Sequence, residues 1–358
     1  MMRLLMLGLL LLLPAFDAAA QDNPAQLPWG RGFPVMVRAG IAFVDIKGID
    51  ENEGTFTATV DVRLRWRDLR RKFPAIETGA NGYLDFWDDA AERKLTEIWH
   101  PHATLANLVG EPEYQKRTVR IAPDGQVEIL QRTTGTFTAD FPLDKFPFDR
   151  QKLAVRMVSR LESTQKVAFD YRQDEVEFSN TRYFTEIDGW EMGLVELSQA
   201  PVPAWRGDKN TGMEAALVIQ RDQPSLVATI FVPLMASLLI PLLTIWLNKA
   251  ENGAFAVDGF ELTNISIGGL FAVVGLNFTI NSTYVNLATG DNPVMRLFAL
   301  NYFLLGLTIA LGMLLYRFHV VKLIWGPHVQ DELFVYLNWA LPVMTFGAAG
   351  TMIALAVF

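Results

Sequence analysis

The most unusual polar residues of this chain lie inside an apolar stretch at residues 262–284. One set recurs at steps of four and three positions, which places its members on a single stripe of a helix. The stripe alternates polar or small residues with two large aromatic ones: Asn264, Gly268, Phe271, Gly275, Phe278 and Ser282. Glu261 adds a carboxylate at one end. Such a stripe can face water or pack helices together, and the spacing alone leaves both uses open.

Two histidines form a second candidate site. His100 and His102 are two residues apart, so on a strand both imidazoles would point to one face. The pair is a weak signal for a metal site, because no third ligand is evident. The catalytic patterns HExxH, GxSxG and the P-loop do not occur in the sequence. We therefore expect neither an enzyme nor a cofactor.

The charged residues are distributed unevenly along the 358-residue chain. Only ten of the 70 charged side chains fall in residues 223–358, so a charged first part precedes an apolar second part. This division excludes a single soluble domain, a disordered chain and a fibrous repeat. The net charge of -8 leaves no basic surplus for phosphates and argues against a nucleic-acid partner. The chain has no Cys and therefore no disulfide.

The second part, residues 223–358, predicts a transmembrane domain. Four of its stretches are long and apolar enough to cross a bilayer as helices. They are residues 226–247, 262–284, 297–316 and 333–358.

Residues 1–20 predict a cleaved signal peptide, since Arg3 precedes a short apolar run and small residues at the end. An exported start places the first part and the C-terminus outside the cytoplasm. The inside loops then carry Lys249, Arg317 and Lys322, in agreement with the positive-inside tendency.

The exported part, residues 21–222, predicts short β-strands. The run 57–66 alternates well, with Val60, Val62, Leu64 and Trp66 on one face. Turn residues separate it from further strand-like runs, which favours an antiparallel, immunoglobulin-like sandwich. Only residues 85–97 predict a helix within this part.

The run Phe146-Pro147-Phe148-Asp149 precedes a predicted strand and resembles the signature loop of the pentameric ligand-gated ion channels, the Cys-loop receptors. Two cysteines close this loop in animal members. Ala139 and Leu153 occupy those places here, as expected for prokaryotic members. Further segments match the family in order: Trp66-x-Asp68, Trp99-x-Pro101, Arg221 before the first span and Pro233 within it.

This resemblance implies a homopentamer around a central pore, with a ligand site between neighbouring sandwiches. It also favours pore lining over helix packing as the role of the stripe. Glu261, Asn264 and Gly268 would then form the selectivity region, and a ring of carboxylates favours cations. The gate would lie at three further stripe positions, because apolar constrictions can close a pore by expelling water. These positions are Phe271, Gly275 and Phe278.

The resemblance places a coupling cluster where the sandwich meets the membrane. Asp149 of the signature loop, Arg221 and Glu51 of the turn at 49–54 would form a carboxylate–guanidinium group. Pro147 would hold the loop rigid. Such a cluster can transmit motion of the sandwich to the spans.

The ligand site is expected to differ from the aromatic boxes that hold cations in amine-binding members. Trp99, Tyr183 and Trp205 supply aromatic rings near the expected positions. Arg160 stands near an expected aromatic position, where its charge would oppose a cationic ligand.

The sequence is therefore identified as a member of the prokaryotic pentameric ligand-gated channels, expected to select cations. We expect it in the inner membrane, with its sandwich in the periplasm. The expected partners are further copies of itself, membrane lipid, permeant cations and either a small-molecule ligand or protons. The alternative is a non-conducting sensor of the same architecture. A transporter would need polar groups in several spans, whereas polarity concentrates in one.

Overall fold

The computed structural model describes residues 25–28, 32, 34–79, 81–181, 187–205, 207–222, 224–284 and 290–357. Within these residues a β-sandwich precedes four helices that are long and apolar enough to cross a membrane, which confirms the predicted fold class. The predicted signal peptide lies outside the described residues.

The sandwich has eleven strands within the described residues. They are β1 Val35–Asp50, β2 Thr55–Arg67, β3 Leu84–Trp87, β4 Ala103–Leu105, β5 Tyr114–Ile121, β6 Gln126–Thr138, β7 Arg150–Ser163, β8 Val167–Asp170, β9 Trp190–Gln199, β10 Val202–Pro203 and β11 Lys209–Arg221. One sheet has the order β3-β5-β6-β2-β1-β8. The other has the order β10-β11-β7-β4, with β9 also paired to β11. The pairing of β1 with β8 is parallel, unlike the predicted antiparallel pattern.

The sandwich core comes from alternation along the strands. On β2 the predicted apolar face is buried, and Val60 and Trp66 are 0% and 3% exposed. Apolar side chains of both sheets join it in one continuous core cluster. The hydrophobic periodicity therefore predicted which face of β2 points inwards.

The sandwich contains two α-helices within the described residues, one more than predicted. They are α1 Asp88–Glu97 and α2 Gln173–Ser179. Helix α2 lies on β1 at Gly40, where an added Cβ would meet the Phe178 ring at 3.0 Å. A helix of seven residues has too little periodicity to be separated from a loop by sequence.

The helices of the second part differ from the predicted spans mainly at their ends. They are α3 Pro224–Ser237, α4 Leu239–Trp246, α5 Gly259–Thr283, α6 Pro293–Gly312, α7 Val320–Trp325 and α8 Pro327–Val357. The first span is interrupted at Leu238, because Pro241 has no N–H to donate to the carbonyl of Ser237. A π-helical turn, Met313–Arg317, extends α6.

The helices of the second and fourth spans, α5 and α8, begin earlier than predicted. The Asp258 carboxylate accepts a hydrogen bond from the Phe260 N–H at 3.3 Å and so caps α5 at its start. Pro327 occupies the first position of α8, where a proline has no donor to lose. Glu261 therefore lies in the first turn of α5.

Candidate functional site

The structure brings three charged side chains together where the sandwich meets the helices. The Arg221 guanidinium donates to Asp149 from Nε at 2.9 Å and from Nη2 at 3.1 Å. It also donates to Glu51, from Nη1 at 3.0 Å and from Nη2 at 2.6 Å. The side chains of Arg221 and Asp149 are only 4% and 2% exposed, and that of Glu51 is 22% exposed. We call these three residues the junction cluster.

Aromatic rings shield the guanidinium of the junction cluster from water. Its central carbon lies 4.3 Å from the Trp190 ring centroid and 4.9 Å from that of Phe146. Burial would lower the pKa of Arg221, but hydrogen bonds and charges from Asp149 and Glu51 outweigh burial and raise the pKa above its usual value. The cation therefore stays charged at every physiological pH.

Local turns position the two carboxylates. In the turn after β1, the Asp50 carboxylate accepts from the backbone N–H groups of Asn52 and Glu53 at 3.1 and 3.0 Å. This Asx-type turn holds Glu51 at its tip. Asp149 stands at the end of the signature loop, where its second oxygen accepts from the Gln151 amide at 2.6 Å.

The signature loop reaches from the junction cluster into the helix bundle. Phe146 is fully buried, precedes a cis peptide bond to Pro147 and lies 5.1 Å from the Tyr284 ring at the end of α5. Phe148 stacks on Phe231 of α3 with ring centroids 5.8 Å apart. These contacts give the loop a direct mechanical connection to the first and second spans.

Helix α5 presents two opposite faces. One is buried against the chain's own helices and comprises Leu262, Ser266, Gly269, Val273 and Ile280. The opposite face is exposed and comprises the predicted stripe, Asn264, Gly268, Phe271, Gly275, Phe278 and Ser282. Phe271 and Phe278 are 72% and 75% exposed. An added Cβ at Gly268 or Gly275 would meet nothing within 4 Å.

The exposed face of α5 also carries an aromatic residue that the sequence analysis did not single out. Phe260 is 71% exposed and lies 11 residues before Phe271. At about 100° per residue, the two rings fall within about 20° of each other around the helix. Glu261 lies about 100° further round, on the flank of the stripe. Extending the four-residue step backwards from Asn264 would have found Phe260.

The structure places the predicted ligand residues in different surroundings. Trp99 is 3% exposed and packs edge-to-face on Trp66 at 5.6 Å, so its ring lies in the core of the sandwich. Alternation could not reveal this, because Trp99 lies outside any regular strand. Trp205 is fully exposed between β10 and β11, and Arg160 is exposed on the neighbouring strand β7. Tyr183 lies outside the described residues.

The two histidines are in contact. The imidazole centroids of His100 and His102 are 3.8 Å apart, and the backbone N–H of His102 donates to Nδ1 of His100 at 3.3 Å. Burial, with lesser contributions from His102 and Arg117, lowers the pKa of His100 to about 4. Among the described residues, no group of three His, Cys, Asp or Glu could hold a metal ion.

Comparison with known proteins places these features in context. The profile of the family described as "Neurotransmitter-gated ion-channel ligand binding domain" matches residues 21–223. The chain is 22% identical over 234 residues to a "Proton-gated ion channel" of Gloeobacter violaceus, covering 65% of this chain and 62% of that protein. It is 24% identical over 291 residues to "Gamma-aminobutyric acid receptor subunit pi" of Bos taurus, covering 77% and 62%.

A third relative is "Acetylcholine receptor subunit beta-like 1" of Drosophila melanogaster, 23% identical over 239 residues, covering 64% of this chain and 43% of that protein. In these three matches the chain therefore spans less than two thirds of the relative's length.

Proposed function

This chain belongs to the family of pentameric ligand-gated ion channels, and from that membership we propose that five copies surround a pore lined by α5. The observation that carries the proposal is the exposed face of α5. One face of α5 packs on the other spans. The opposite face has no partner within the described residues of a single subunit. A stripe of alternating polar and aromatic residues suits a water-filled lumen with apolar constrictions.

We propose that the pore prefers cations and that Glu261 supplies the preference. Five copies would place five carboxylates at the N-terminal end of α5, where a Glu side chain is long enough to reach the lumen from the flank of the stripe. Asn264 and Gly268 follow one and two turns later. Phe271, Gly275 and Phe278 form the proposed gate.

We propose that the junction cluster carries the gating signal from the sandwich to α3. Arg221 ends β11, and α3 begins three residues later. Glu51 and Asp149 come from two other turns of the sandwich, so any relative movement of these turns changes the position of Arg221. The signature loop, with Pro147 between its two packed phenylalanines, provides the second route into the bundle.

We propose that the gating ligand is a proton or a small molecule bound near Arg160 and Trp205, with Tyr183 as a further proposed contact. The relative described as a proton-gated channel supports protons as the gating ligand, and the exposed Trp205 supports a small molecule in that role. We further propose that the chain divides into a signal peptide at 1–20, a sandwich at 21–222 in the periplasm and an inner-membrane domain at 223–358.

Cysteine accessibility tests the pore proposal cleanly, because the chain has no Cys. Single variants Asn264→Cys, Gly268→Cys and Gly275→Cys should react with a charged thiol reagent and block current. Val273→Cys, on the buried face of the same helix, is the matched control and should stay unmodified. Equal reaction on both faces would contradict a pore-lining α5. Native mass spectrometry should give a mass of five subunits, whereas currents absent from an intact pentamer would favour the non-conducting sensor.

A further inference from the structure

The chain between the first and second spans folds into a tight β-hairpin. Two-residue strands, β12 Ala250–Glu251 and β13 Ala254–Phe255, pair across Asn252 and Gly253. Both turn residues have positive φ, +51° and +70°, as a type I′ turn requires, and Asn-Gly is the sequence that suits this turn. The connection to α5 is therefore a defined element.

The base of this hairpin is closed by one buried side chain. Asn248 is 5% exposed, and its carbonyl oxygen accepts from the N–H groups of Lys249 and Val257 at 2.9 and 3.0 Å. Its amide donates back to the Val257 carbonyl at 3.2 Å. One residue later, Asp258 caps α5. The orientation of the hairpin is thus passed directly to the start of the proposed pore helix.

The tip of the hairpin is held by residues from α7 and α8. The Gly253 N–H donates to both oxygens of the Asp331 carboxylate, at 3.1 and 3.2 Å. The Gly253 carbonyl accepts from Lys322 Nζ at 2.9 Å and from Gln330 Nε2 at 3.4 Å. We call these four residues the Gly253 latch.

The latch is tightly packed and internally connected. Gln330 is fully buried, and its side-chain oxygen Oε1 accepts from the backbone N–H of Lys322 at 3.2 Å. An added Cβ at Gly253 would meet the Pro327 Cβ at 2.7 Å, so only glycine fits. Gly253 and Gln330 are buried, and Lys322 and Asp331 are half-buried. A shift of the hairpin would therefore leave donors and acceptors with little access to water unpaired.

An aromatic cluster holds the second strand of the hairpin against the π-helical turn that extends α6 and against α8. The Phe255 ring lies edge-on to Tyr316 at 4.5 Å and to Phe334 at 5.3 Å. Phe255 is only three residues before the Asp258 cap. The hairpin is therefore fixed at its tip by hydrogen bonds and at its base by apolar contacts.

We propose that the Gly253 latch positions the N-terminal end of α5, and with it Glu261 and Phe260, so that Lys322, Gln330 and Asp331 set ion selection although they lie outside the exposed stripe. The proposal rests on the proposed function of α5 as a pore helix. Lys322, Gln330 and Asp331 are positioning residues, because they act through the hairpin and contact no permeant ion themselves.

The first test asks whether the latch holds the hairpin, and it needs no current. Hydrogen–deuterium exchange of the full chain in lipid nanodiscs follows peptides covering residues 248–258. Asp331→Ala should speed exchange of these amides by about tenfold, the factor expected for losing a charge-assisted hydrogen bond. Glu332→Ala removes the neighbouring exposed carboxylate and should leave exchange unchanged. If Asp331→Ala fails to assemble, Lys322→Met tests the other side of the latch. Unchanged exchange in the variant that assembles overturns the proposal.

The second test asks whether the hairpin positions Glu261. A spin label on Glu261→Cys, unique in this Cys-free chain, reports distances between subunits. Adding Asp331→Ala should broaden that distance distribution and, in the chain with Glu261 intact, lower cation preference; adding Glu332→Ala should do neither. Faster exchange with unchanged label distances would show that the latch holds the hairpin without positioning α5, and would overturn the proposal. If the unaltered protein conducts no current, the proposed function is contradicted. The exchange rates and label distances would still show whether the latch holds the hairpin and positions α5.

Discussion

Arg221→Ala is the substitution whose cost the structure constrains most closely. The Arg221 side chain is 4% exposed and makes four hydrogen bonds to two carboxylates. Its removal leaves Asp149, which is 2% exposed, without its cation. Removing one partner of a buried pair costs about 3–5 kcal/mol, because the remaining charge is left uncompensated. We expect Arg221→Ala to fall in that range.

A double-mutant cycle measures the interaction itself. Arg221→Ala, Asp149→Asn and their combination are compared by denaturation of the purified protein and by the ligand concentration that opens half of the channels. We expect a coupling energy of about 1–3 kcal/mol in stability. Arg221→Lys keeps the charge but loses the planar fork, so it should recover only part of the loss.

The exposed pair Lys152–Glu196 is the matched control for this cycle. Its atoms are 2.7 Å apart, close to the distances in the junction cluster, but its side chains are 61% and 58% exposed. Solvent screening should limit its coupling to about 0–1 kcal/mol. If the cycle for Arg221 and Asp149 gives losses that simply add, the two residues do not interact energetically and the reasoning from burial is refuted.

Three further predictions follow from the gate, the histidine pair and the exposed tryptophan. Phe271→Ala should widen an apolar constriction and produce current without ligand, whereas Phe303→Ala, an equally large deletion on the exposed face of α6, should not; a silent, well-assembled Phe271→Ala would argue against the gate. The lowered pKa of His100, about 4, means that the native state binds fewer protons than the unfolded state, so stability should fall as pH drops from about 6.5 to about 4. Thermal denaturation across that range should show a smaller loss for His100→Gln than for His328→Gln, and equal losses would contradict this account. Trp205→Ala should weaken the response to ligand while leaving pentamer yield unchanged, and an unchanged dose–response curve would remove Trp205 from the ligand site.

Periodicity accounts for most of what the sequence could predict. The alternation of β2 and the four-and-three step of α5 are short-range patterns. Each identifies the residues that share one face of the element without knowledge of the fold. The buried face of α5, including Val273, lies opposite the predicted stripe. The junction cluster depended instead on the family resemblance, because Glu51 and Arg221 are 170 residues apart and spacing cannot join them.

The features that the sequence analysis missed depend on contacts between distant segments. Trp99 lies outside any regular strand, so alternation does not assign its side chain to a face, and only the packing against Trp66 shows that it is buried. The Gly253 latch joins residues 69 to 78 positions apart. A lysine or an aspartate near a span does not indicate in the sequence which distant residue it will contact. Phe260 precedes the predicted start of the second span at residue 262, whereas the cap at Asp258 lets α5 begin at Gly259.

The reversal potential under a salt gradient tests the central claim most directly. The purified protein is reconstituted in planar bilayers, and single-channel currents are recorded for the unaltered chain, Glu261→Gln and Glu332→Gln. The account predicts gated currents that reverse near the cation equilibrium potential, a shift towards zero for Glu261→Gln and no shift for Glu332→Gln. Currents that reverse at the same potential in all three proteins would contradict a cation pore selected by Glu261 at the start of α5.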